Sequence, residues 1–198
     1  LSVLLGSEMC IRDRLYRVIK IGADPKKIVF SGVGKSPQEI ETAIINNIGS
    51  INIESHDELE LVAQIAKKKQ VQASVSLRVN PNVDPKTHPY VATGLKSSKF
   101  GVPIDDAIDI YKKMAKNKYL KIIGVACHIG SQLQELNPFE QSIREIMQLV
   151  RKIEANGIKI GRVDCGGGLG ISYSGEALPH IQELVAIMKK EIPSKHVI

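Results

Sequence analysis

Short β-rich apolar runs alternate with amphipathic stretches along almost the whole chain. The runs at 28–31, 50–54, 74–79, 122–128 and 162–165 predict strands, each bounded by turn-forming residues. Apolar residues recurring at three- and four-residue intervals predict helices over 37–46, 57–69, 104–117, 138–156 and 177–190. A repeated strand-then-helix unit is the pattern of parallel strands joined by helical crossovers. Local chemistry supports the helix starts. Ser36-Pro37-Gln38-Glu39 and Ser55-His56-Asp57-Glu58 fit capping boxes, in which the serine accepts from the third helical amide and the glutamate reaches back. Asn137-Pro138-Phe139-Glu140 is a related start with proline at the first helical position. These caps give Ser36, Ser55 and Asn137 structural roles.

Each predicted strand ends in a polar signature: Ser31-Gly32, Glu54-Ser55, Arg78-Val79-Asn80, His128 to Ser131, and a glycine run after Cys165. In a β/α barrel the functional groups gather at the carboxyl ends of several strands, whereas an open doubly wound sheet places its ligand only near a topological switch point. Five decorated ends favour the barrel. The connection at 80–99, far longer than the few residues usual in such units, holds His88 before Pro89 and ends in Lys96-Ser97-Ser98-Lys99. Long ordered connections tend to carry function.

Composition narrows the classes without choosing among them. The chain has 198 residues, enough for one sizeable core, and an ordinary globular balance of apolar and charged residues. Its net charge of +6 comes from lysines dispersed over helix faces, without the interleaved aromatics of a single-strand binder, so nucleic acid is not an expected partner. No apolar run approaches the roughly 18 residues of a spanning helix, and the first residues lack the basic region of a signal peptide. The expectation is a cytoplasmic protein with no membrane contact. Cys10, Cys127 and Cys165 are odd in number and lack C-x-x-C spacing, which fits free thiols in a reducing compartment and argues against a metal site. Cys127 and Cys165 end predicted strands and are expected to be buried.

The candidate chemistry lies at two strand ends. Gly166-Gly167-Gly168-Leu169-Gly170 follows the apolar run 160–165, and successive glycines after a strand free backbone amides to wrap a phosphate. The run is not a dinucleotide fingerprint, because Ile171 stands where its third glycine should be, and it lacks the lysine of a nucleotide-triphosphate loop. His128-Ile129-Gly130-Ser131 follows a second strand and brings an imidazole and a hydroxyl to the same rim.

Three segments, 77–101 (LRVNPNVDPKTHPYVATGLKSSKFG), 127–133 (CHIGSQL) and 163–173 (VDCGGGLGISY), in this order and spacing, resemble the diaminopimelate decarboxylase family. These are pyridoxal 5'-phosphate (PLP) enzymes of lysine biosynthesis. The shorter stretches 23–36 and 51–55 are similar to the same family. The resemblance implies an α/β fold: a partial TIM (β/α)8 barrel of PLP-dependent fold type III, lacking the first and last strands and the C-terminal β domain. It implies that His128 stacks on the pyridine face of PLP as a catalytic residue, that Ser131 donates to the phosphate, and that Gly166, Gly167 and Gly168 form the amide cradle. Arg78 would sit beside the ring, and Lys99 near the substrate mouth or a subunit contact.

The implied activity is conversion of meso-2,6-diaminopimelate to L-lysine and CO2, by a homodimer when full length. Alternatives on the same barrel are an ornithine or arginine decarboxylase, a racemase, or a non-catalytic PLP-binding regulator. By the resemblance, the lysine that links to the cofactor would precede Leu15, and the acid facing the pyridine nitrogen would follow Ile198. The chain alone would then hold about six of eight barrel units and be inactive and poorly soluble. Lys35, in a later unit, is expected at the surface. Residues 1–14 resemble translated adapter sequence and are expected to be non-native, leaving 15–198 as the barrel domain.

Overall fold

A computed structural model describes residues 8–9, 12–84, 100–173, 175 and 177–198. His88, Lys96 and Lys99 of the long connection lie outside the described residues, as does Cys10. The strands are β1 (Glu8–Met9), β2 (Val29–Phe30), β3 (Ser50–Ile53), β4 (Ala73–Asn80), β5 (Val102–Pro103), β6 (Leu120–Ala126) and β7 (Arg162–Asp164). The helices are α1 (Arg12–Lys20), α2 (Pro37–Ile45), α3 (His56–Lys69), α4 (Ala107–Ala115), α5 (Asn137–Ala155) and α6 (Ile181–Glu191). The sheet order is β1-β2-β3-β4-β6-β7, with β5 paired to the end of β4, and every pairing is parallel.

The sheet is curled. Asn52 of β3 donates through Nδ2 to Asp164 Oδ2 of β7 at 3.3 Å, although three pairing steps separate these strands. In a flat sheet those steps would hold the backbones about 14 Å apart, beyond the reach of two short side chains. The molecule is therefore a partial β/α barrel whose rim curves back on itself. Helices cover its outside. Ile40 and Ile44 of α2, Val62 and Ala66 of α3, Ile110 and Met114 of α4, and Ile146 and Val150 of α5 are all buried in one apolar cluster with Ile51, Val75, Leu77, Val125 and Val163 of the sheet. All of β3 is buried, as expected of a parallel strand covered on both faces.

The predicted elements are present, with differences that have local causes. The box at Ser36 is complete: Ser36 Oγ accepts from Glu39 N at 3.3 Å and Ser36 N donates to Glu39 Oε2 at 2.6 Å. At Ser55 only half forms. Ser55 Oγ accepts from Glu58 N at 3.2 Å, but the Glu58 carboxylate turns inward to Glu54 N at 2.7 Å and to Lys35 Nζ at 2.9 Å. Asn137 is already inside α5, and Leu136 occupies the cap position without a side-chain bond. Helix α6 starts at Ile181 rather than 177, because Pro179 disfavours helical backbone in Leu178 and His180 N is closed by Glu183 Oε2 at 2.7 Å.

Elements before residue 28 were not expected. The backbone of Glu8–Met9 nevertheless pairs with Val29–Phe30, and α1 follows it. Backbone pairing asks only for an open parallel edge, not for an alternating side-chain pattern. Lys35 is the clearest correction. It is buried, and its Nζ donates to Gly32 O at 2.6 Å, Asn52 O at 2.8 Å and Glu58 Oε1 at 2.9 Å. A lysine so enclosed persists because two carbonyls and a carboxylate replace its lost water.

Candidate cofactor site

Parallel strands bring their carboxyl ends to one rim, and the polar signatures gather there. Ser31 follows β2, Glu54 follows β3, Arg78 lies near the end of β4, His128 follows β6, and Asp164 closes β7. The glycine turn after β7 packs against the segment after β6. A Cβ on Gly166 would stand 2.6 Å from Cys127 O and 2.8 Å from His128 Nδ1, and one on Gly168 would collide with Gly130 O. Both residues also have positive φ, of 67° and 103°. Only glycine lets these two backbones come so close.

The amides divide into two groups. Gly166 N donates to Asp164 Oδ1 at 2.9 Å, so Gly166 provides the bend and its N–H is committed to the protein. Leu133 N donates to Gly168 O and Gly170 N to Leu133 O, at 2.9 and 2.8 Å, which zips the turn to the neighbouring loop. Gly167 N makes only a long contact, 3.4 Å, with His128 Nδ1, and Gly168 N carries no hydrogen bond among the described residues. Space beside Gly167 is open, and Ser131 is exposed on the adjoining loop. Gly168 N, unpaired among the described residues, and Gly167 N, held only by its 3.4 Å bond to His128 Nδ1, sit on a turn of alternating backbone hand, the geometry of an anion-binding concavity.

Arg78 and Glu54 form a buried pair on the other side of the rim. Arg78 Nη1 lies 2.9 and 3.1 Å from the two Glu54 carboxylate oxygens, and the guanidinium carbon is 5.2 Å from the Phe100 ring centre. His128 is affected by this arrangement. Burial, and next the positive Arg78, lower its pKa from the ordinary 6.5, while Asp164 and Glu54 oppose the shift. The imidazole is therefore neutral at pH 7.

A family model described as the pyridoxal binding domain of pyridoxal-dependent decarboxylases matches residues 5–196. The chain belongs to that family. Diaminopimelate decarboxylase of Pseudomonas aeruginosa is 42% identical over 187 residues, covering 94% of this chain and 45% of the relative. The Haemophilus influenzae enzyme of the same name is 44% identical over 175 residues, covering 88% of this chain and 42% of its own length. The chain thus spans a little under half the length of these curated relatives. Among solved structures, diaminopimelate decarboxylase from Helicobacter pylori complexed with L-lysine superposes with a TM-score of 0.94 at 36% identity, over 98% of this chain and 49% of that one.

The family's cofactor fits the residues present. The N–H groups of Gly167, held only by a long bond to His128, and of Gly168, unpaired among the described residues, suit its phosphate, and an imidazole and a guanidinium flank the same rim. Among the described residues there is no group of His, Cys, Asp or Glu that could hold a metal ion, and no helix is long and apolar enough to cross a membrane. Cys127 and Cys165 are buried as expected; the Cys127 Sγ lies 3.6 Å from Ser142 Oγ, and burial raises the Cys165 thiol pKa so that it stays protonated.

Sequence reasoning missed Asn52 and Asp164 and gave Glu54 no role. Asn52 Nδ2 donates to Ser31 Oγ at 2.6 Å as well as to Asp164, so three strands are tied beneath the rim. The available signal was a polar residue inside an otherwise apolar strand run, which burial makes costly unless it is paired.

Proposed function

We propose that this chain is the cofactor-binding part of an enzyme that converts meso-2,6-diaminopimelate to L-lysine and CO2. The observation that carries the reading is the meeting of His128 with the glycine turn: the imidazole that follows β6 accepts at Nδ1 from Gly167 N of the turn after β7, at 3.4 Å, on one rim. The names of the relatives, and the lysine in the Helicobacter pylori complex, support the substrate. PLP, when bound, supplies the electron sink for the pair left behind as the α-carboxylate departs.

The chain's own groups bind and orient. Gly167 and Gly168 would hold the phosphate with fixed amides that need no reorganisation, and exposed Ser131 would add a donor from the next loop. His128, kept neutral by burial and by Arg78, would hold the ring without adding a charge to it. Arg78 would hold a cation beside the ring.

The test is made on the protein as its source organism produces it, loaded with PLP and offered meso-diaminopimelate, ornithine and arginine separately. Stoichiometric lysine and CO2 from the first alone are expected. Turnover of ornithine or arginine instead overturns the substrate, and PLP binding with no turnover of any of them overturns the enzymatic reading.

A further inference from the structure

Glu54 makes several hydrogen bonds at the rim. Its carboxylate accepts from Arg78 Nη1 at 2.9 and 3.1 Å, from Gly32 N at 3.0 Å and from Gly101 N at 3.3 Å. One group thereby joins the turn after β2, the end of β4 and the return of the long connection. Its side chain is 3% exposed and that of Arg78 is 11% exposed. The support continues outward. Glu54 N donates to Glu58 Oε2 at 2.7 Å, and the other oxygen of Glu58 takes Lys35 Nζ at 2.9 Å. Two carboxylates and two cations thus balance in charge, which offsets the desolvation that an isolated buried ion would suffer.

Only Nη1 of Arg78 is engaged by Glu54, and among the described residues the remaining donors of the guanidinium fork make no hydrogen bond, which suits them to an anionic oxygen. We propose that Glu54 is a positioning residue for cofactor binding: it fixes Arg78 in the orientation that offers those donors to the ring of a bound pyridoxal, while Lys35 and Glu58 hold Glu54 itself in place. This rests on the reading of the site as a PLP site. It assigns to Glu54 an effect on the ring half of the ligand and none on the phosphate half, which the glycine turn grips separately.

The experiment compares wild type, Glu54→Gln, Arg78→Gln and the double variant, in the protein as its source organism makes it and freed of cofactor. Affinities for PLP and for inorganic phosphate are measured by calorimetry, with melting temperature as a control. Glu54→Gln is expected to weaken PLP about tenfold with phosphate affinity unchanged. The double variant is expected to bind PLP no more weakly than Arg78→Gln alone, because Glu54 acts through Arg78. Glu54→Asp, which keeps the charge, is expected to recover part of the loss and serves in place of Glu54→Gln if that variant does not fold. Unchanged PLP affinity in these variants, equal losses for PLP and phosphate, or additive losses in the double variant would overturn the inference. A wild-type protein that takes up no PLP would overturn the site reading first, and the inference with it.

Discussion

Three adjacent glycines in this chain are not equally bound to be glycine: Gly166 and Gly168 combine a positive φ with a close backbone approach, and Gly167 has neither. Gly168 has φ of 103° and a backbone carbonyl where its Cβ would go, so Gly168→Ala should lose on the order of 2 kcal/mol of stability. Gly167 has open space and no such φ, and Gly167→Ala should stay within about 0.5 kcal/mol of wild type. Urea midpoints of the two variants check both; equal losses would contradict the geometry. His128 gives a pH signature. Its folded-state pKa is lowered, so below the ordinary 6.5 the unfolded chain binds the proton that the folded one refuses. Stability drawn from the neutral imidazole is therefore present at pH 7.5 and lost as pH falls through that value. The stability difference between wild type and His128→Gln should move against wild type between pH 7.5 and 5.5, measured by urea unfolding at each pH.

At the level of elements, helix starts show how far local rules reach. Ser36 and Glu39 close a box entirely from within α2, so Ser36→Ala should cost about 1 kcal/mol by thermal or urea unfolding. Glu58 was expected to do the same at α3, but the buried ammonium of Lys35 and the Glu54 amide compete for its carboxylate and win. Burial raises the Glu58 pKa and the facing Lys35 opposes that rise, so the box partner has become part of the buried pair. Lys35 comes from the β2 neighbourhood, 23 residues away, beyond any helix-start motif, while Glu54 directly precedes the cap residue Ser55.

The whole molecule is organised by one curled parallel sheet with its longest strand, β4, near the middle. β4 pairs with β3 on one side and β6 on the other, and six of its eight residues in a row are buried from Val75 onward. Amides of β4 and β6 should exchange with solvent only through global unfolding, whereas those of the two-residue strands β1 and β5 should exchange by local opening. Native-state hydrogen exchange distinguishes these regimes; uniform protection across the sheet would contradict the picture. The outer edge of β7 is already paired in part, since Val163 N donates to Val197 O and Val197 N to Gly161 O, at 2.8 and 2.9 Å.

Local pattern alone determined the alternation of strands and helices, the parallel sheet, and the two segments, 128–131 and 166–168, that meet at the rim. These are carried by residues close together in the chain: an apolar run, then the group it delivers. The tertiary structure decided which charges pair. Nothing near Lys35 in sequence shows that it will be enclosed by Gly32, Asn52 and Glu58, and nothing near Asn52 points to Asp164, 112 residues away. Pairing of β2 with β3 brings Lys35 to Asn52 and Glu58, the curl of the sheet brings Asn52 to Asp164, and burial makes leaving such groups apart costly enough to matter.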